Sequence, residues 1–324
     1  IMSNVPTCVI FMTIALQFLK LYDKEEERRQ TGKAYMLGVT FASMIGGMLT
    51  PAGSSINILA IHLLEQSEGI SIPFGTWMCI AFPVVIVVLP IAWFLVIKII
   101  GTAPVTVDRK KQFLDELNVG KKIGADEWKV MAILLIMVIL WIASSWMPQI
   151  NVVVVALVGC VVLQIPKVGV ITSEEFVKAI NVDAIFIVAT VLSLGNIIVS
   201  AGLGDFINKI ELPFAGIWQV LFLVAFMVFG GLVLIPIAPS LITVLIPLII
   251  SLGNDRVSPA ALVITCALCA CNCYFIPLDT VCLITYGQGY YSMSDMPKVS
   301  VFLQIWVAFT VSLCVTVFVI MAKI

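Results

Sequence analysis

Six apolar runs, at 76–97, 130–146, 151–165, 183–200, 216–235 and 299–322, recur along the chain with almost no charge inside them. A helix of about 20 apolar residues matches the hydrocarbon core of a bilayer, so runs of this length span or nearly span one. Lipid offers no partner for bare backbone, which leaves α-helix as the form such runs take. Charged residues make up 11% of the 324 residues, against about 25% in a soluble domain. Mean hydropathy is +1.14. The chain therefore reads as an all-α polytopic protein, embedded in the lipid bilayer of the cell membrane. A net charge of −1 gives no reason to expect a nucleic-acid partner. The chain opens on Ile1, in the middle of a motif, and reads as a fragment lacking upstream helices.

Prolines and glycines divide the apolar runs further. The expected path begins with a helix over 5–20 and a charged loop over 20–33, in which 23–29 forms a solvated turn. A half-helix over 34–49 ends at Thr50-Pro51-Ala52-Gly53-Ser54-Ser55-Ile56-Asn57, and a second half covers 58–66. Spans follow at 76–98, 128–146, 151–165 and 183–200, then a flat amphipathic piece over 204–211. Arms over 214–235 and 241–253 flank a tip at 236–240. A second broken helix covers 258–290, and a last span covers 299–322. Fifteen of the 18 basic residues fall on one side of this path, and only Lys209, Arg256 and Lys323 fall on the other. The first side is therefore cytoplasmic. That places the C-terminus outside, with Trp77, Trp146 and Trp218 at the outer interface.

Three segments recur in the same order. Residues 3–7 and 237–241 each begin an arm, 32–57 and 258–283 are each a half-helix ending in a break, and 72–100 and 293–324 are each a long span. By the charge assignment the two sets enter from opposite sides. This is an inverted-topology repeat, an arrangement that puts a transport site at the midplane between broken elements. The domains are a partial first repeat over 1–100, a cytoplasmic linker over 101–127, spans of the second repeat over 128–180, and its core over 181–324.

Asp279 lies in the apolar stretch that leads into the second break, two residues after Pro277. A carboxylate at bilayer depth costs about 2.5–3.5 kcal/mol, so it marks an ion or substrate path by default. Three roles are open to it: an ionised ligand for a cation, a proton carrier, or a cap on the following half-helix. Thr50 is expected to hydrogen-bond within its own broken turn. Cys266, Cys269, Cys271 and Cys273 form a cluster that matches no zinc spacing, and small residues packing a crowded helix account for it better. His62 reads as an ordinary helix histidine. Asn196, Gly195, Ser193 and Asp183 read as packing or interface residues. An intramembrane protease would need a second buried acid or a Ser–His pair. The chain has one histidine, and the reading is of a non-enzyme.

The pattern Ser3-Asn4-Val5 followed by Ile45-Gly46-Gly47-Met48-Leu49-Thr50-Pro51-Ala52-Gly53-Ser54-Ser55-Ile56-Asn57 resembles the divalent anion:sodium symporter family. The stretches 181–186, 202–206 and 286–296 resemble it too. The resemblance implies two re-entrant hairpins and two broken helices, each tip and its facing loop closing on one Na+ as a clamshell. It implies that Ser3, Asn4 and Gly53 line the first sodium site. Asn4, Ser54, Thr280 and Ser240 would then touch a small anionic substrate, with Thr280 standing opposite Ser54 and Thr243 an alternative to Ser240. Val5 departs from the expected Thr, and Ser55 and Ile56 replace two prolines. In the second half Ile237-Ala238-Pro239 falls where Ser-Asn-Thr is expected. Asp279 stands where relatives offer sodium only a backbone carbonyl. The resemblance further implies elevator-type secondary transport of di- or tricarboxylates, a homodimer and no organic cofactor. The alternative is a proton-coupled carrier or antiporter of another anion such as sulfate, with Asp279 as the proton site.

Overall fold

A computed structural model describes residues 3–104, 124–147, 149–165, 169–179, 216–252, 257–272 and 278–322, with positions 190, 193, 197 and 275. All regular structure among them is helical. In chain order the helices are α1 (Asn4–Phe18), α2 (Glu25–Gly47), α3 (Ser55–Glu68), α4 (Phe74–Ile99), α5 (Ala125–Ala143), α6 (Val152–Val162), α7 (Ser173–Ala179), α8 (Ile217–Leu234), α9 (Ala238–Leu252), α10 (Pro259–Ala270), α11 (Thr280–Tyr286) and α12 (Asp295–Ala322). Single 3-10 turns follow α1 at Leu19–Leu21 and precede α3 at Pro51–Gly53. Among the described residues four stretches are long and apolar enough to cross a membrane: Asn4–Leu21, Phe74–Ile99, Ile217–Leu234 and Asp295–Met321. Most of the 183–200 span, with Asn196, Gly195 and Asp183, lies outside the described residues. So do the piece at 204–211 and most of the linker.

The charged stretch expected as a loop is instead the first two turns of α2. Glu25, Glu26 and Glu27 all fall in its first turn, where carboxylates complement the positive end of the helix dipole. Lys24 closes on Glu27 at 2.9 Å. Further along, α9 starts three residues earlier than expected, so Ser240 lies inside its first turn rather than at the tip.

The chain divides into two compact units. The smaller comprises 73–76 and 107–189. In it α5 packs on α6, the Trp141 ring lies 5.6 Å from that of Phe74, and Gly75 N donates to Ser145 Oγ at 2.7 Å.

The larger unit comprises 1–72, 77–106 and 190–324. Its helix pairings have an internal correspondence. Helix α1 packs on α2 and α11, α9 packs on α10 and α3, α2 meets α11, and α10 meets α3. Exchanging α1, α2 and α3 with α9, α10 and α11 returns the same pairings. Helix α8 then covers α9, α10 and α12, and Gly231 lets the Leu241 side chain approach its backbone closely. The corresponding faces of α1, α2 and α4 form an open apolar groove of about 1010 Å³, lined by residues including Phe11, Phe18, Tyr35, Trp93 and Ile97.

Polar contacts fasten α2 to the second half of this unit. Thr40 Oγ1 and Thr285 Oγ1 lie 2.6 Å apart, and Thr285 Oγ1 is 3.1 Å from Tyr291 OH. Asp295 accepts from Ser292 N and Oγ and pairs with both Lys33 and Lys298 at 2.9 Å. Gly32 leaves room for the Tyr290 ring, which any β-carbon there would strike.

Candidate functional site

The site begins where α2 stops. A helix end leaves four carbonyls without intrahelical partners, and here they face the protein interior. Asn57 is fully buried and donates from Nδ2 to Gly47 O at 3.0 Å and to Thr50 O at 2.9 Å. Gly53 N donates to Thr50 O at 3.0 Å. Trp77 Nε1 donates to Met48 O at 2.9 Å. Trp77 is 0% exposed, and its indole serves the broken helix. Trp146, by contrast, is exposed. Asn57 also accepts the Cys271 thiol at 2.9 Å from the end of α10. One side chain thus joins both sides of the first break to the start of the second.

The tip of α1 closes on this loop. Ser3 precedes the helix, its carbonyl accepts from Thr7 Oγ1 at 2.9 Å, and its hydroxyl donates to Asn4 Oδ1 at 3.4 Å. Asn4 is 8% exposed. A β-carbon at Gly47 would stand 3.1 Å from Asn4 Cβ and 3.0 Å from Gly53 O. One at Gly53 would collide with the Gly47 carbonyl and come within 3.1 Å of Thr50 Oγ1. Gly47 thus stands close to both Asn4 and Gly53, and Gly53 close to both Gly47 and Thr50. The collision is with backbone held by Asn57, which has no room to yield. Gly53→Ala is expected to cost about 1–3 kcal/mol, the usual range for overpacking. Gly46 has nothing within 4 Å of its β-position, so Gly46→Ala is expected to be neutral or to stabilise by up to about 1 kcal/mol. Melting midpoints in detergent check the pair; equal midpoints would overturn the reading.

The two inner half-helices start alike. Ser54 is the N-cap of α3 and accepts from Ile56 N at 3.3 Å. Asp279 is the N-cap of α11 and accepts from Val281 N at 3.0 Å through Oδ1. Ser54 lies beside the Cys271 thiol, and Asp279 lies within electrostatic reach of it. By this capping register the counterpart of Ser54 is Asp279, and Thr280, expected opposite Ser54, is one residue on, exposed at the first position of α11. Asp279 also lies near Cys8 of α1, whose thiol faces Val281 O at 3.8 Å. The cap among the three roles open to Asp279 is thus present as a hydrogen bond. It leaves the charge of the carboxylate to be accounted for.

The second tip is apolar. Ile237 and Ala238 occupy the positions of Ser3 and Asn4 relative to their helices. Ser240 is half-buried, and Thr243 donates its hydroxyl to Pro239 O at 2.9 Å. Cys266 and Cys269 are buried with Cys271 on α10; Cys273 lies outside the described residues. His62 is exposed on α3. Sequence reasoning noted Asn57 only as a motif remnant and missed its three bonds. The available signal was a fully polar amide within an apolar half-helix, beside a break with carbonyls to satisfy.

The sodium:sulfate symporter transmembrane region, as a family, matches residues 3–322. An uncharacterized transporter of Methanocaldococcus jannaschii is 23% identical over 96% of this chain and 69% of its own length. The sodium-dependent dicarboxylate transporter SdcS of Staphylococcus aureus is 29% identical over 45% of this chain and 30% of its own length. An uncharacterized transporter of Schizosaccharomyces pombe is 23% identical over 63% of this chain and 22% of its own.

Proposed function

The chain belongs to the family of the sodium:sulfate symporter transmembrane region, and from that premise we propose that it moves a small divalent anion, of the di- or tricarboxylate kind, across the membrane together with Na+. One observation carries this reading: the buried Asn4 at the tip of α1 is seated against Gly47, which across the helix break also meets the Gly53 carbonyl. A tip closed on a break gathers neutral oxygens and freed carbonyls, which suits a monovalent cation. Ser3, Asn4 and Gly53 are its proposed ligands. Ser54, beside that cluster and at the N-terminus of the fourteen-residue α3, meets the anion, helped by the positive end of the helix. Asn4, Thr280 and Ser240 complete the proposed anion contacts. The SdcS similarity supports a dicarboxylate as cargo.

The exchangeable pairing of α1–α3 with α9–α11 supports the two-repeat organisation. In this reading the repeats are inverted, the tips belong to re-entrant hairpins, and the core moves as an elevator in a homodimer. Uptake into proteoliposomes of the full-length protein tests the proposal. Succinate, malate, citrate, tartrate and sulfate are each offered with sodium or with potassium, across a range of pH. Sodium-stimulated uptake of at least one dicarboxylate is expected. Uptake indifferent to both sodium and pH would refute coupled transport.

A further inference from the structure

Thr50 is 2% exposed, and its hydroxyl has no hydrogen-bond partner. A buried hydroxyl left without a partner forfeits the hydration it had in the unfolded chain, and native proteins rarely tolerate this without a reason. Among the described residues three other buried hydroxyls share the condition: those of Thr265, Ser300 and Ser312. All three sit within continuous helix, on α10 or α12. There a rotation about χ1 brings the carbonyl four residues back into reach. Thr50 has no such recourse. Its backbone is extended, with φ −127° and ψ 153°. Its own carbonyl already accepts from Gly53 N and Asn57 Nδ2. The expected bond within its own turn is therefore made by the Thr50 backbone and not by the side chain.

The unpartnered oxygen is placed with purpose. It stands 3.1 Å from where a Gly53 β-carbon would be, and the Gly47 carbonyl borders that same space. On the far side of Gly47, the Gly53 carbonyl and Asn4 Cβ both flank that glycine's β-position, at 3.0 and 3.1 Å. Gly47 O gives one lone pair to Asn57 and keeps a second. We propose that Thr50 Oγ1 is a ligand of the cation held between the α1 tip and the first break, completing an all-oxygen, uncharged set with Asn4 and Gly53. The inference rests on the sodium reading of that cluster. A hydroxyl that meets no protein donor or acceptor but faces a cation would give its lone pair to the ion, as hard cations require, while its proton stays outside the coordination shell.

Sodium alone serves as the probe. In full-length protein, the melting midpoint is followed against NaCl, with choline chloride holding ionic strength constant, and sodium-stimulated uptake is titrated in parallel. Thr50→Val removes the oxygen at nearly constant volume; Thr50→Ser keeps it. Asn4→Ala is the control for the cluster. T50V is expected to raise half-saturating sodium by roughly tenfold or more, the scale of one lost bond to a charged group, with T50S within about threefold of the parent by the same scale. If N4A raises the sodium requirement and T50V does not, the Thr50 assignment is wrong and the sodium site stands. If neither variant moves it, the sodium reading fails and takes the assignment with it. Should T50V not fold, T50A is compared with T50S by the same titrations.

Discussion

Asn57→Asp is expected to remove most of the stability of the larger unit. The amide of Asn57 supplies both of its N–H bonds to carbonyls, those of Gly47 and Thr50. An ionised carboxylate has only acceptors, so the substitution would leave the Gly47 carbonyl unpaired and the Thr50 carbonyl with Gly53 N alone, and turn an oxygen toward each. The unpaired carbonyl costs about 1–3 kcal/mol and the second lost bond about 1, so together they amount to roughly 2–4 kcal/mol before the buried charge is counted. Asn57→Ala loses the same two bonds and adds a cavity, but no repulsion, and falls below N57D in damage. Cys271→Ala removes only the bond that Asn57 accepts, worth about 1 kcal/mol. The expected order of melting midpoints in detergent is parent, C271A, N57A, N57D. At about 2 °C or more per kcal/mol, N57D falls by roughly 8 °C or fails to fold. An N57D midpoint level with C271A would show that the break does not depend on Asn57, and the account of the loop would need replacing.

The difference between what the sequence disclosed and what it withheld follows from the range of the interactions. Apolar runs and breakers act locally, so the path of helices was legible: α1, α4, α8 and α12 fall within a few residues of expectation. The start of α2 was misread because high charge was equated with a loop. Glu25, Glu26 and Glu27 instead reinforce a helix N-terminus. The burial of Trp77 was not legible, because its partner is a carbonyl 29 residues away, that of Met48. The bond from Cys271 to Asn57 joins residues 214 apart; no periodicity announces such a contact. At the second break the sequence pattern aligns hydroxyls, Ser54 with Thr280. The fold aligns caps, Ser54 with Asp279, and a cap is chosen for an acceptor, which serine and aspartate both provide.

The capping register sharpens the asymmetry between the halves. The first half has a tip rich in oxygen, Ser3-Asn4, and a hydroxyl cap, Ser54. The second has an apolar tip, Ile237-Ala238, and a carboxyl cap, Asp279. If both halves bound sodium in the same way, the second would have lost its tip ligands and gained a carboxylate. A carboxylate about 5 Å from each negative charge of a dianion is opposed by about 3 kcal/mol per charge at an effective dielectric of 20. Were Asp279 part of the proposed anion site, a cation or a proton would have to neutralise it as the anion binds, and repulsion would then enforce the coupling.

Asp279→Asn separates this role from capping. Asparagine and aspartate are near-equal N-caps, so D279N keeps the acceptor for Val281 N and is expected to hold its melting midpoint. Asp279→Ala loses the cap and is expected to cost about 1 kcal/mol. If Asp279 only caps, D279N transports like the parent. If it couples, D279N is expected to change the ion dependence of uptake by tenfold or more, the effect of about 1.4 kcal/mol or greater at the site. The direction of the change identifies the ion. With a proton, the parent is active when Asp279 is protonated, so its uptake falls as pH rises; D279N resembles the protonated form and its uptake stays flat. With a metal cation, D279N instead needs more of that cation at every pH, because the charge that held it is gone. A parent-like pH profile together with a parent-like cation titration in D279N would end the coupling role and leave Asp279 as the start of α11.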